Sequence, residues 1–164
     1  MKTAFTFSTI LMFRKVLRYE ETLCQKKVVL MNSAIDFSLF AGQAVKAVDT
    51  DSLTPQIKFS FGSLHVECFW RVRNREYMLY GKHDPEALQR LAEDLVGRTV
   101  TLVLHREFPS DLTVEFDQDL YLEVLCSCSE TENWHLTRPD GFFLVAGPGG
   151  RYTFWEPELV QEES

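Results

Sequence analysis

The 164-residue sequence lacks two features that would assign it to a broad class at once. It has no apolar run of the ~20 residues that a membrane-spanning helix needs. The apolar-leaning stretch of residues 4–13 is about half that length, and Arg14 and Lys15 follow it directly. It also has no excess of positive charge, since 17 Lys and Arg face 24 Asp and Glu for a net charge of −7. A general nucleic-acid binder needs a basic face to replace phosphate counterions, so we expect neither membrane nor nucleic-acid binding.

The sequence also lacks the familiar catalytic motifs. Its four histidines form no His-Glu-x-x-His pair, and there is no Gly-x-Ser-x-Gly nucleophile elbow. The glycine-rich segment 147–150 lacks the Lys-Ser/Thr of a phosphate-binding loop, and we interpret it as a tight turn before a strand at 151–155. The sequence therefore predicts no catalytic residues and no cofactor, and we expect a protein that is not an enzyme.

Cysteine is sparse, with four residues in the chain. Cys126 and Cys128 are one residue apart, which is not the two-residue gap of common zinc knuckles and redox motifs. His135 nearby leaves a metal site with these two cysteines open as an alternative. We expect no metal site, and we expect these cysteines to be reduced thiols that pack as small apolar groups in a cytoplasmic protein.

Charge is distributed unevenly along the chain. Residues 1–30 carry six basic against two acidic side chains, a net of +4, whereas residues 31–164 net −11. Three interpretations of residues 1–30 are open: a signal peptide, an amphipathic surface helix and an accessory extension. The charge break favours the accessory extension. We predict a basic extension over 1–30 that is dispensable for folding, one domain over 31–156, and an acidic tail over 157–164.

A weak internal repeat runs through the predicted domain. The segment 42–48 recurs as 97–103, and the alternating apolar residues at 57, 59 and 61 recur at 112, 114 and 116. Each copy, about 42–81 and 97–147, has the period-two alternation of half-buried strands and predicts a four-stranded antiparallel meander. Gly42 and Gly97 are predicted to be structural, as are Trp70 and Trp134, which we expect to be buried.

One helix is predicted between the copies. Asp84-Pro85 predicts its N-cap and first turn, and Gly97 lies just past its end. Its apolar stripe is Leu88, Leu91, Leu95 and Val96. The sequence thus predicts an α+β fold that is mainly antiparallel β, with two repeated four-stranded meander units and one helix between them.

Two groups of polar residues are candidate sites. Asp117, Asp119, Glu130 and Glu132 fall at predicted turns and form a hypothetical acidic rim that docks a basic protein, unless they serve solubility alone. His65 and Glu67 share one strand face, and Glu123 occupies the position that matches Glu67 in the second copy. These three form an alternative ligand or enzyme site, unless they are simply the solvent side of two matched strands.

Three arginines alternate along one predicted strand, at positions 71, 73 and 75 beside Trp70. Such a pattern is typical of an anion or nucleic-acid contact. In a domain with a strongly negative net charge, we interpret them instead as intramolecular partners of the acidic faces.

Parts of both copies resemble a family of small bacterial proteins of unknown function, whose members are similar to immunity proteins encoded near polymorphic toxins. The segments that carry the resemblance are 67–71, 97–100, 111–116, 120–124, 132–134 and 145–150, so that it spans about residues 35–155. These segments hold turn glycines and strand tryptophans, and the resemblance brings no catalytic residues. It implies an immunity-type inhibitor whose partner is a basic toxin domain.

Overall fold

The computed structural model describes residues 35–155. The predicted extension over 1–30 and the acidic tail over 157–164 lie outside the described residues. The first half contains β1 (Val45–Asp49), β2 (Gln56–Phe59), β3 (Gly62–Val66), β4 (Phe69–Arg73), β5 (Met78–Gly81) and the helix α1 (Ala87–Leu95). The second half contains β6 (Val100–Arg106), β7 (Asp111–Phe116), β8 (Leu120–Leu125), β9 (Trp134–Thr137), β10 (Phe143–Ala146) and β11 (Tyr152–Trp155). Short 3-10 turns lie at Ser38–Phe40 and Pro148–Gly150.

The eleven strands of the described part form two antiparallel sheets. One has six strands in the order β1-β2-β3-β9-β10-β11, and the other has five in the order β5-β4-β8-β7-β6. The predicted α+β fold, mainly antiparallel β with a single helix, is therefore confirmed. The helix that the structure describes is neither long nor apolar enough to cross a membrane.

The two predicted meander units are not confirmed, because the copies exchange strands. The strands β1, β2 and β3 share a sheet with β9 and β10 through the pairing of β3 with β9, while β6, β7 and β8 share a sheet with β4 and β5 through the pairing of β8 with β4. Each sheet thus takes three strands from one copy and two from the other, and β11 extends the six-stranded sheet. The chain changes sheet between β3 and β4, and again between β8 and β9; we call these two connections the crossovers.

The register shows which residues of the two halves are equivalent. Val66 is opposite Trp134 and Leu64 is opposite Leu136 in one sheet. In the other sheet, Val124 is opposite Trp70 and Leu122 is opposite Val72. The structural counterpart of Glu123 is therefore His65, and the predicted match of Glu123 to Glu67 is wrong by two residues.

Gly42 and Gly97 occupy equivalent bends where the edge strands of the two sheets meet. The amide of Gly42 donates to the Val100 carbonyl at 2.8 Å, and the amide of Gly97 donates to the Val45 carbonyl at 2.9 Å. Their φ angles are +84° and +87°, a region that side chains disfavour. Glycine at these positions allows the reciprocal bonds that join β1 to β6.

The inner faces of both sheets contribute to one apolar core. Alternation along β7 illustrates the reason, since Leu112, Val114 and Phe116 are buried and the residues between them are partly exposed. Trp70 and Trp134 are both buried as predicted, with 1% and 0% of their surface exposed. Each fully buried large aliphatic side chain contributes about 1.5–3 kcal/mol to folding.

The helix begins later than predicted. The N-cap position is Glu86, with φ of +56° and no side-chain cap, so the prediction of Asp84 as N-cap is wrong. The Asp84 carboxylate instead accepts a hydrogen bond from the Gly81 amide at 2.7 Å, at the end of β5. Leu91 and Leu95 are buried as the apolar stripe predicts, whereas Val96 is 49% exposed because the helix ends at Leu95.

Candidate functional site

Glu123 lies on the outer face of the five-stranded sheet, between two arginines. It is directly opposite Arg71 on β4. Its Oε2 accepts from Arg71 Nε and its Oε1 from Arg73 Nε, both at 2.5 Å. Burial would raise the pKa of this carboxyl, but the hydrogen bonds from Arg73 and Arg71 outweigh it and lower the pKa below its usual range. Glu123 is therefore ionised with both oxygens engaged, which makes it a poor general base.

The same face carries further internal ion pairs. Arg75 Nη2 lies 2.7 Å from Asp119 Oδ1, and the guanidinium of Arg73 lies 4.0 Å from the centre of the Tyr121 ring. The interpretation of the alternating arginines as intramolecular partners is thus confirmed. This outer face uses its charges to hold its own strands together.

His65 lies in the other sheet, so the structure does not bring His65, Glu67 and Glu123 together. His65 is on the outer face of β3, directly opposite His135 on β9. Glu67 follows β3 at the first crossover and is exposed. The predicted alternative site is therefore divided: His65 and Glu67 remain near one another at the end of β3, and Glu123 belongs to the other sheet.

The two histidines form a cross-strand pair. Their ring centroids are 5.0 Å apart with the planes at 87°. His65 Nε2 lies 3.1 Å from Thr54 Oγ1, and His135 Nδ1 is hydrogen-bonded to a carboxylate oxygen of Glu132. On its far side, His135 stacks on Phe143 with centroids 5.8 Å apart. Both imidazoles are thus fixed in place and only partly buried.

The four carboxylates of the predicted acidic rim do not form one surface. Asp117 and Asp119 precede β8, while Glu130 and Glu132 follow it at the second crossover. The six residues of β8 separate these pairs by roughly 17 Å. Asp117 Oδ1 also accepts from the Thr99 amide at 3.2 Å, so the first pair is occupied within the fold.

The two crossovers are hydrogen-bonded to each other, and they carry a different set of carboxylates. The amides of Glu67 and Cys68 both donate to the Asn133 carbonyl, at 2.8 and 2.9 Å. Glu132 is the chain neighbour of Asn133, and Glu130 lies in the same connection. We call Glu67, Glu130 and Glu132 the crossover patch. Glu67 and Glu130 are exposed, and their carboxylates have no hydrogen-bond or ion-pair partner within residues 35–155.

Asn133 explains why the second crossover has a defined shape. Its side chain is fully buried. Its Oδ1 accepts from the amides of Ser127 and Cys128, both at 2.9 Å, and its Nδ2 donates to the carbonyls of Cys128 and Gly147. These bonds fix the loop that presents Glu130, because a buried amide group requires its hydrogen-bond partners.

The described cysteines have contrasting environments. Burial raises the pKa of the Cys68 thiol to about 12 and that of Cys126 to about 11. The hydroxyl of Thr131 lowers the pKa of Cys128. Within residues 35–155, no three His, Cys, Asp or Glu side chains converge to hold a metal ion.

An open cleft of about 470 Å³ lies away from every predicted site residue. It is lined by Glu107, Phe108, Arg151 and Tyr152. Sequence reasoning did not single out these residues, because they come from the loop after β6 and from the start of β11, which only the folded chain brings together.

Asn133 is the residue of interest that sequence reasoning missed, and His135 was weighed only as a neighbour of Cys126 and Cys128. A signal for His135 existed, since the repeat aligns Trp134-His135 with Trp70-Arg71. The repeat therefore marks position 135 as the counterpart of an outward-facing arginine. Its proximity to His65 depends on the strand exchange, which the repeat alone does not reveal.

Two antiparallel sheets with exchanged strands, one helix and polar groups gathered at the crossovers define a small α+β protein. The chain belongs to the Family of unknown function (DUF6188), whose family model matches residues 38–156. No curated protein and no solved structure matches the chain.

Proposed function

We propose that the protein is a non-enzymatic binding protein that captures a basic protein domain through the crossover patch, as an immunity-type inhibitor captures its toxin. The observation that supports this most is the pair of exposed carboxylates, Glu67 and Glu130, without partners in the described part of the chain. Carboxylates such as Glu123 and Asp119, by contrast, are already paired with arginines.

The net charge of the chain beyond residue 30 favours a basic partner. Residues 31–164 net −11, and a field of this sign raises the rate of encounter with a positively charged surface. Lys82 is a cation beside Glu67, and its ammonium donates to the carbonyls of Glu67 and Cys68 at 2.7 and 3.1 Å. Because those bonds are to backbone oxygens, they leave the Glu67 carboxylate free for a partner.

The patch is also rigid enough to be a specific contact. The Asn133 bonds hold both crossovers, so that Glu67 and Glu130 are presented from fixed backbone rather than from separate mobile loops. Preorganised contacts lose less conformational entropy on binding. The proposal includes the finer expectations of a bacterial origin and a cytoplasmic location, where such an inhibitor neutralises a toxin inside the cell it protects.

The alternative function, a ligand binder or enzyme built on His65, Glu67 and Glu123, has less support. Glu123 is on the other sheet and is held by two arginines. A small-ligand function would have to use His65 with His135 instead.

Co-expression tests the proposal. The product encoded beside this chain, which the proposal expects to contain a basic toxin domain, is produced with the wild-type protein or with the Glu67→Lys/Glu130→Lys variant, and cell growth is measured. We expect the wild type to restore growth and the variant to lose most of that protection.

Asp51→Lys/Glu76→Lys is the matched control, because both residues are exposed, have no ion-pair partner and give the same change in charge. We expect this control to protect like the wild type. Equal protection by both double variants, or no protection by the wild type, would refute the proposal.

A further inference from the structure

The His65–His135 pair has the separation of two imidazoles on one metal ion. In a tetrahedral site with Zn–N bonds of about 2.0–2.1 Å, the centroids of two coordinating rings lie about 5.2 Å apart. The observed centroid separation is 5.0 Å. The two rings are directly opposite on neighbouring strands, so the sheet itself sets this spacing.

Each ring has one nitrogen committed to a neighbour and one left for a ligand. His135 uses Nδ1 for the Glu132 carboxylate, and His65 uses Nε2 for the Thr54 hydroxyl. The remaining nitrogens are Nε2 of His135 and Nδ1 of His65. A carboxylate that accepts from the second nitrogen of a coordinating histidine fixes its tautomer and raises its basicity, and Glu132 is placed to do this.

The surroundings also suit a metal ion. Phe143 stacks on one side of His135 and restricts the ring to its present orientation. Both rings are on the outer face of the sheet and partly exposed, so an ion reaches them from solvent. Imidazole nitrogens bind late divalent transition metals such as zinc, nickel and copper rather than magnesium or calcium.

We propose that His65 and His135 together bind a late divalent transition metal ion, with Glu132 as the positioning residue for His135. Two protein nitrogens complete half of a tetrahedral shell, and water occupies the rest. This site goes beyond the proposed binding function and shares only Glu132 with the crossover patch. The Glu67→Lys/Glu130→Lys variant that tests the patch leaves Glu132 and both histidines unchanged, so the two proposals fail separately.

Zinc titration of the whole protein tests the site. The titration uses a buffer that does not bind zinc, and binding is followed by calorimetry and by the imidazole ¹H–¹⁵N spectrum. We expect saturable binding of one ion and shifts confined to the signals of His65 and His135. Because chelation needs both rings, His65→Ala, His135→Ala and the double variant are all expected to retain the same weak residual affinity.

Two further variants sharpen the test. Glu132→Gln should lower the zinc affinity about 10- to 100-fold while leaving the two histidine signals responsive. His83→Ala removes an exposed histidine that contacts only the Phe69 ring among the described aromatic groups, and it should bind zinc like the wild type.

Several outcomes would overturn the proposal. Unchanged zinc affinity in the double histidine variant would assign binding to other groups, such as the cysteine thiols. Absence of saturable binding in the wild type would show that the pair is an edge-to-face ring contact alone. Since both residues are on the outer face, thermal unfolding of each variant verifies that it is folded before its affinity is compared.

Discussion

The outer faces of the two sheets carry different residue pairs at the same structural position. At equivalent places in the register, the five-stranded sheet has Glu123 opposite Arg71, and the six-stranded sheet has His65 opposite His135. The first pair is an ion pair in which both carboxylate oxygens of Glu123 accept hydrogen bonds. The second pair is uncommitted at one nitrogen of each ring. One face is therefore used for stability, and the other is available for a ligand.

The inner faces differ less, but the difference is informative. Trp70 and Trp134 are equivalent and equally buried. Trp134 Nε1 donates to the Ser110 carbonyl at 2.7 Å, whereas Trp70 Nε1 has no hydrogen-bond partner among the described residues. Equivalent packing positions thus tolerate different polar environments when apolar contacts dominate the free energy.

The largest expected effect concerns these tryptophans. Trp70→Ala and Trp134→Ala should each lower the free energy of unfolding by about 3–5 kcal/mol, because each leaves a large cavity in the core. Urea denaturation measures the loss. Substitution by Phe separates the contribution of ring packing from that of the indole hydrogen bond. Trp134→Phe should lower the free energy of unfolding by about 1 kcal/mol more than Trp70→Phe does. Equal costs would show that the Ser110 bond contributes nothing.

The next effect concerns His105, which lies in β6 and contacts rings of the six-stranded sheet. Its centroid is 5.8 Å from that of Trp134 and 4.8 Å from that of Tyr152. Burial lowers its pKa from 6.5 to about 4. A histidine that is neutral when folded stabilises the protein fully above pH 6.5, and this contribution is lost as the pH falls through about 4.

We therefore expect wild-type stability to fall by about 3 kcal/mol more than that of His105→Gln between pH 6.5 and pH 4. Chemical denaturation at a series of pH values measures both proteins. Parallel pH profiles for the two would contradict the assignment of this loss to His105.

A smaller effect compares the two outer faces directly. Glu123→Gln leaves Arg71 and Arg73 without their shared carboxylate, and it should destabilise by about 1–2 kcal/mol. This lies between the value of an exposed ion pair and that of a buried one, since Glu123 is 13% exposed and the arginines are 40% and 31% exposed. His65→Gln, the equivalent change on the other face, should cost less than about 0.5 kcal/mol. Similar urea midpoints for the two variants would remove the proposed contrast.

Much of the fold follows from local sequence patterns. The alternation in segments such as 112–116 predicts strands because side chains point to opposite faces in turn, and one face is buried. The paired glycines at 42 and 97 mark equivalent bends for the same local reason. The strand exchange was not predictable, because β4 and β9 each carry a tryptophan and alternate alike. Their partners are decided by long-range register rather than by their own residues.

The candidate sites show the same limit. The sequence identified His65 and the acidic residues 130 and 132, since local patterns are enough to identify single polar residues on strands and turns. It missed the partnership of His65 with His135, and it grouped Glu130 with Asp117 and Asp119 across the length of β8. Both errors concern which segments meet in space. The prediction of Asp84 as the helix N-cap was wrong as well. The Asp84 carboxylate accepts a hydrogen bond from the Gly81 amide rather than from an amide of the first helical turn.

The most direct test of the account is the rate at which the protein associates with its proposed basic partner, the product encoded beside it, measured at rising salt. The account predicts that Glu67→Lys/Glu130→Lys slows association about 10-fold or more at low salt and flattens the salt dependence. Asp117→Lys/Asp119→Lys, at the other end of β8, should change the rate much less. An equal reduction by both double variants would show that only net charge matters, and it would contradict recognition through the crossover patch.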